Sequence, residues 1–458
     1  MNSDEITAIM ENRYSIDCVQ LVLAPQLPGT DQKKHRGAGL ISQAPDGSFS
    51  LKMYCNGNVL PRDVFPRLDW KAGELIHEEY YYRLTANDIK GRQWEAKWII
   101  PDIHSGPDPN GYIVHADIRE LSYSSDLYDE VATYYAGIYF PGDINIPFNT
   151  AVTEKKMVDG QRRSSSVNLN VSKFSACDIE FEIEKDVGWL MLNALSDTAI
   201  DDALVMRLVE SLQFVLARSL SWSIVELIHG KTRKVRVKSS QRNVNKSRVQ
   251  PPVHFQAVDR SNKVWSLFGR YLSHTKTYDE ELWHPVFRWI HAVIESGCSS
   301  LDTESLILSV AIEGLLREEF DNLYYRNAEL QKQIEDVRCG MEKLVLEPSF
   351  KNRVFGFFGN MLKPRAKDFL HILKNKNLLD PRLLDEYDKL RNSTAHGELA
   401  DSSKFQVHLD RCAAVLVLFY HIIFLTIGYS GPYTDYSTRG FPEKEFTMPE
   451  QRHTPGRP

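Results

Sequence analysis

Arg391 and His396 stand with four residues between them in the stretch Leu390-Arg391-Asn392-Ser393-Thr394-Ala395-His396-Gly397. The pair joins a permanent cation to a group that titrates near neutrality. Together they can stabilise charge on a phosphate and move a proton beside it. Five helical steps make about 500° of rotation, so the two side chains diverge by roughly 140° and flank a groove. Asn392 and His396 share a face, which lets the Asn amide hold one ring nitrogen and leave the other free. The same spacing also suits a surface Arg and His that do no more than favour a helix C-terminus through its dipole.

The elements that must hold these groups are helical. Pro381 suits the first turn of the motif helix, Leu383, Leu384, Tyr387 and Leu390 make its apolar stripe, and Gly397 suits the left-handed position after its last turn. Upstream, a long helix is predicted over 303–343. There Leu306, Val310, Leu316 or Arg317, and Phe320 mark a face that also contains Glu313, because seven residues return to nearly the same angle. A carboxylate on such a face needs a partner. Arg317, one turn on, offers an intrahelical pair; Arg391 offers a functional one, in which Glu313 aims the guanidinium at a phosphate.

The string RNSTAH in an all-helical region resembles the Arg, four to six residues, His motif of the HEPN (higher eukaryotes and prokaryotes nucleotide-binding) ribonucleases, and in particular the Apea-like HEPN group. The resemblance covers roughly 265–430 through the motif and the rest in architecture. It implies metal-independent RNA cleavage without a cofactor, a homodimer and a role in growth arrest during phage infection. RNA carries its own nucleophile, the 2′-hydroxyl, so cleavage needs in-line positioning, a proton carrier and a cation. In that scheme His396 moves the proton, Arg391 stabilises the phosphate, Asn392 orients the imidazole or contacts RNA, and Glu313 positions Arg391. The rival reading is a non-catalytic binding or dimerisation module.

At 458 residues, 42% hydrophobic and 25% charged, the chain has the composition of a soluble globular protein with two or three domains. The net charge of −6 excludes a wholly basic nucleic-acid coat, so RNA contacts need local patches. Two are candidates. The run from Lys231 to Arg248 includes Lys231, Arg233, Lys234 and Arg236 and no acid. The segment 351–367 combines Lys351, Arg353, Lys363 and Arg365 with Phe355, Phe357 and Phe358. A solvated face and a loop anchor are their plainer readings.

The predicted architecture is α+β. A β-rich sensor or targeting domain over 1–250, antiparallel sandwich or barrel in type with a helix near 201–218, precedes a helical bundle over 262–428, and 429–458 is expected to be a flexible tail. Phe49, Leu51 and Met53 alternate as one strand, and Trp94, Ala96 and Trp98 as another. Strands are expected over 221–228 and 234–238. The ligand or trigger of the first domain is not readable, although Tyr80, Tyr81 and Tyr82 offer an aromatic platform. The six cysteines lack metal or redox spacing and point to a reducing cytosol. The apolar run 413–427 is short for a membrane span and is expected as a buried core helix. Phosphate-loop, dinucleotide and nucleophile-elbow motifs are missing.

Overall fold

The computed structural model describes residues 1–27, 29, 32–57, 73–105, 110–158, 161–168, 170–239, 248–255, 262–280, 282–323, 328–361, 365–395 and 402–448. Packing divides the chain into two compact units, one of residues 1–209, 219–245 and 255–262, the other of 210–218, 246–254 and 263–458. The chain therefore passes between units more than once, and 246–254 group with the helices.

The first unit opens with helix α1 (Ser3–Met10), capped reciprocally by Asn2 and Glu5. Strands β1 (Ser15–Pro25), β2 (His35–Gln43), β3 (Phe49–Asn56), β4 (Tyr82–Asp88), β5 (Gln93–Ile99), β6 (Asp102–Ser105), β7 (Gly111–Ile118) and β8 (Glu120–Pro141) follow. Next come β9 (Ala151–Val158), β10 (Gln161–Asn168), β11 (Val171–Ala176), β12 (Ile179–Asp186) and β13 (Trp189–Ser196), helix α2 (Asp202–Leu216) and β14 (Ile224–Lys238). Twelve of the strands form one antiparallel sheet, ordered β11-β12-β13-β8-β5-β4-β1-β2-β3-β7-β6 with β14 beside β8; β9 and β10 pair apart. Leu21, Ile41, Leu51, Met53, Leu84, Trp94, Val114 and Val235 form its core. Strand β2 needs glycine against β3, because a Cβ on Gly37 or Gly39 would stand 1.9 or 2.1 Å from the carbonyl oxygens of Tyr54 and Lys52.

Two strand expectations need correction. The alternation Trp94, Ala96, Trp98 breaks at Trp98, which has φ 59° and is 48% exposed. Tyr82 faces Ile99 and Leu84 faces Ala96, so two residues of β5 oppose one of β4 in a bulge that turns Trp98 outward. The two strands expected over 221–228 and 234–238 are one strand, β14, paired along β8 with irregularities on either side of Gly230.

The second unit holds α3 (Lys263–Thr275), α4 (Pro285–Ser296), α5 (Leu301–Glu319), α6 (Ala328–Glu342), α7 (Pro348–Met361), α8 (Ala366–Asn375), α9 (Pro381–Ala395), α10 (Phe405–Ile427), β15 (Gly431–Thr434) and β16 (Glu443–Phe446). Helix α5 packs against α4, α8, α9 and α10. Gly314 lets α5 approach α4, since a Cβ there would lie 2.2 Å from the Trp289 ring. Helix α10 is long and apolar enough to cross a membrane, but Val415, Leu418, Phe419, Ile422, Ile423 and Phe424 are all buried in the unit.

The helix expected over 303–343 ends at Glu319, and α6 is a separate element. Its apolar face is also reassigned: Leu308, Ala311, Ile312, Leu315 and Leu316 are buried, whereas Leu306 and Val310 are 46% and 45% exposed. The phenylalanine-rich segment expected as a loop is largely helix α7, packed on α6. Pro348 opens it, and the Glu347 carboxylate accepts from the amides of Ser349 and Phe350. Residues 429–448 are no loose tail. They form the β15–β16 hairpin, with Tyr429, Tyr433, Tyr436 and Phe446 buried.

Candidate active site

Helix α9 begins as its sequence requires. The Asp380 carboxylate accepts from the amide of Arg382 at 2.9 Å, and the Arg382 guanidinium holds that carboxyl below its usual range. Leu383, Leu384, Tyr387 and Leu390 are all buried, as the apolar stripe predicts. Three ion pairs fasten the helix around this core. Asp388 meets Lys367 of α8 at 2.9 Å, Glu386 meets Arg411 of α10 at 3.3 Å, and Arg391 meets Glu313 of α5.

The last contact joins two of the predicted site residues. Arg391 Nε donates to Glu313 Oε1 at 2.7 Å, and the Tyr387 hydroxyl donates to the same oxygen at 3.5 Å. Arg317 also approaches, its Nη2 3.9 Å from Glu313 Oε2, so the intrahelical partner is the more distant one. Two cations therefore share one carboxylate and leave net positive charge at the surface. The bond to Glu313 raises the Arg391 pKa, and burial raises that of the Tyr387 phenol. At 41% exposure the Arg391 side chain is anchored yet open to an anion. Asn392 is exposed on the next position. His396 and Gly397 lie outside the described residues, as does Lys363.

The other predicted contacts are dispersed. Arg233 pairs with Glu226 at 2.5 Å, Lys234 with Asp202 at 2.7 Å, and Arg236 with both Glu120 at 2.7 Å and Asp202 at 2.6 Å. The run is free of acids in sequence, but the acids come from elsewhere in the sheet unit; Lys231 is exposed beside the strand irregularity at Gly230. Lys351 and Arg353 ride on α7, with Lys351 Nζ 5.9 Å from the Phe355 ring centroid. Arg365 is exposed at the start of α8.

A second polar cluster escaped the sequence reading. Ser305 Oγ lies 3.0 Å from His408 Nε2 and 3.0 Å from Cys412 Sγ, and Asp302 Oδ1 is 4.0 Å from the same nitrogen. A relay needs the hydroxyl and the carboxylate on opposite ring nitrogens, so the set is not a triad. Ser305 also back-bonds to the Leu301 carbonyl, and burial pushes the Cys412 thiol up to about 11. These groups satisfy one another inside the bundle. Among the described residues no three His, Cys, Asp or Glu side chains converge as a metal site. Comparisons with protein-family models, with curated proteins and with solved structures find no match to this chain.

Proposed function

We propose that the helical unit is a HEPN-type, metal-independent RNA endonuclease, with Arg391 stabilising the phosphate, His396 carrying the proton, Asn392 orienting it and Glu313 positioning Arg391. The observation that carries the reading is the Arg391–Glu313 bond, which fixes a solvent-facing guanidinium between α5 and α9. An anchored Arg loses little freedom when it meets a phosphate, so its interaction is spent on the charge that builds during attack by the 2′-hydroxyl. The resemblance further implies an anti-phage effector, and the cysteine usage a cytoplasmic one.

A homodimer completes the proposal. Leu306, Val310, Glu313 and Arg317 follow one another at helical spacing along one exposed stripe of α5. A second copy packed on the two apolar positions would bring its own Arg and His toward the first, which answers the roughly 140° divergence of the motif pair. Incubating the purified protein with total RNA in excess chelator tests the activity. New ends carrying 2′,3′-cyclic or 3′-phosphate are expected, and 3′-hydroxyl ends would oppose it.

A further inference from the structure

The outer face of β5, β4, β1, β2 and β3 has a composition that the core does not require. Glu95 faces Thr85, Thr85 faces Val22, and Val22 faces Arg36 across three strand pairs; one row on, Arg83 faces Ala24. Toward β3, Ala38 faces Tyr54 and Leu40 faces Lys52. Side chains on this face alternate with the buried set, so all of them point away from the core. Its middle is floored by Ala24, Val22, Thr85 and Ala38, which project little.

Two large rings stand at its ends. Trp98 is 48% and Tyr54 53% exposed. Trp98 stays outward only because β5 carries a bulge at a positive φ, a conformation that costs energy for a bulky residue. Tyr81 meets it edge to face at 5.4 Å and steadies the ring. Lys34, Arg36, Lys52, Arg83 and Lys97 supply five cations on this face against two acids, Asp17 and Glu95. Only Arg83 has a carboxylate partner among the described residues, Glu95 at 2.6 Å.

We infer that this face binds single-stranded nucleic acid, with bases stacked on Trp98 and Tyr54 and the backbone tracked by Lys34, Arg36, Lys52 and Lys97. Unpaired bases offer free π-faces to exposed rings, whereas a duplex keeps its bases stacked inside. Cations without carboxylate partners can exchange counterions for phosphates. Four strand spacings across the sheet and five residues along it separate the two rings by about 25 Å, so a strand of several nucleotides is needed to reach both. The inference stands on the sheet unit alone and needs neither Arg391 nor cleavage.

The test is fluorescence anisotropy of the full chain with a labelled 2′-O-methyl oligouridylate of about 12 nucleotides, a length within the range of single-strand sites. The blocked 2′-oxygen cannot attack, so binding is read whether or not the helical unit cuts RNA. Trp98→Ala and Tyr54→Ala should each weaken binding by about tenfold with unchanged circular dichroism, and Trp98→Phe should keep most of it. Arg36→Gln with Lys97→Gln should flatten the dependence on salt. Absence of binding at low salt, parental affinity in both alanine variants, or equal competition by a duplex of the same length would each overturn the inference.

Discussion

Arg391 gains its meaning from the residue it touches. The Glu313 carboxylate could be expected as its partner because positions 306, 310, 313 and 317 recur on one helical stripe, and a carboxylate there needs a cation. That the stripe faces solvent was not legible, since Leu306 and Val310 are as apolar as the buried Leu308 and Leu315. Trp98 was misplaced for a similar reason, as one inserted residue reverses every alternation after it. Arg391→Ala should lower RNA cleavage by at least about 100-fold, the scale of a lost transition-state contact. Glu313→Gln should cost roughly 10- to 100-fold through misplacement of the guanidinium, yet change stability by less than about 1 kcal/mol because the pair is part-exposed. Equal activity of Glu313→Gln and the parent in initial-rate assays would remove Glu313 from the site. His421 supplies a pH prediction. It sits against Phe424, Tyr433 and Phe446, with Asp380, Asp435 and Lys444 the charged groups acting on it, and burial lowers its pKa from 6.5 to about 4. The folded state therefore binds fewer protons than the unfolded one between those values. The stability contribution is complete above about pH 6.5 and is lost as pH falls to about 4, by roughly 3 kcal/mol at most. Asp435, held down to about 2 by Lys444, Ser437 and Thr438, acts below that window. His274, His291 and His408, also lowered by burial, add to the slope with the same sign, so denaturant titrations across pH 4–6.5 should show a shallower slope in His421→Phe than in the parent.

Elements were legible where periodicity was strong. Helix α9 begins at Pro381 as expected because that proline suits the first turn, and the apolar run 413–427 lies within the helix α10. The sequence of α7 resembles a loop because Gly356, Gly359 and four phenylalanines weaken the helical signal, although Pro348 and Glu347 cap it. The basic run of β14 could not be judged from its own residues. Its partners lie outside the run: Glu120 on β8, Asp202 on α2 and Glu226 earlier on β14 itself. Each Asp202 and Arg236 pKa moves toward the charged form through this pairing, against the burial that opposes it. Arg236→Glu should thus destabilise the sheet unit by about 3 kcal/mol, since it leaves Asp202 and Glu120 facing a like charge, while Lys231→Glu should change stability by under about 0.5 kcal/mol. Thermal melts distinguish the two; equal melting temperatures would show that the ion pairs carry no weight.

At the scale of the whole molecule, the division into a sheet unit and a helical unit follows from the change of period near 250, but the return of 210–218 and 246–254 to the helices does not, because short apolar segments carry no mark of which core they enter. Nor does the chain alone reveal its partners. If the exposed stripe of α5 joins two copies, Leu306→Glu with Val310→Glu should give a folded monomer by sedimentation and lower cleavage at least about tenfold, whereas an unchanged dimer would place the interface elsewhere. Mixing Arg391→Ala with His396→Ala protomers should restore activity if one cleft draws on both chains. The central claim is that Arg391 and His396 cut RNA without a metal. The most direct measurement is the rate and end chemistry of RNA cleavage in excess chelator by the parent, Arg391→Ala and His396→Ala proteins side by side. Chelator-resistant cleavage leaving 2′,3′-cyclic or 3′-phosphate ends, lost in both variants, is the predicted result; parental cleavage by either variant, or no cleavage by the folded parent, would contradict it.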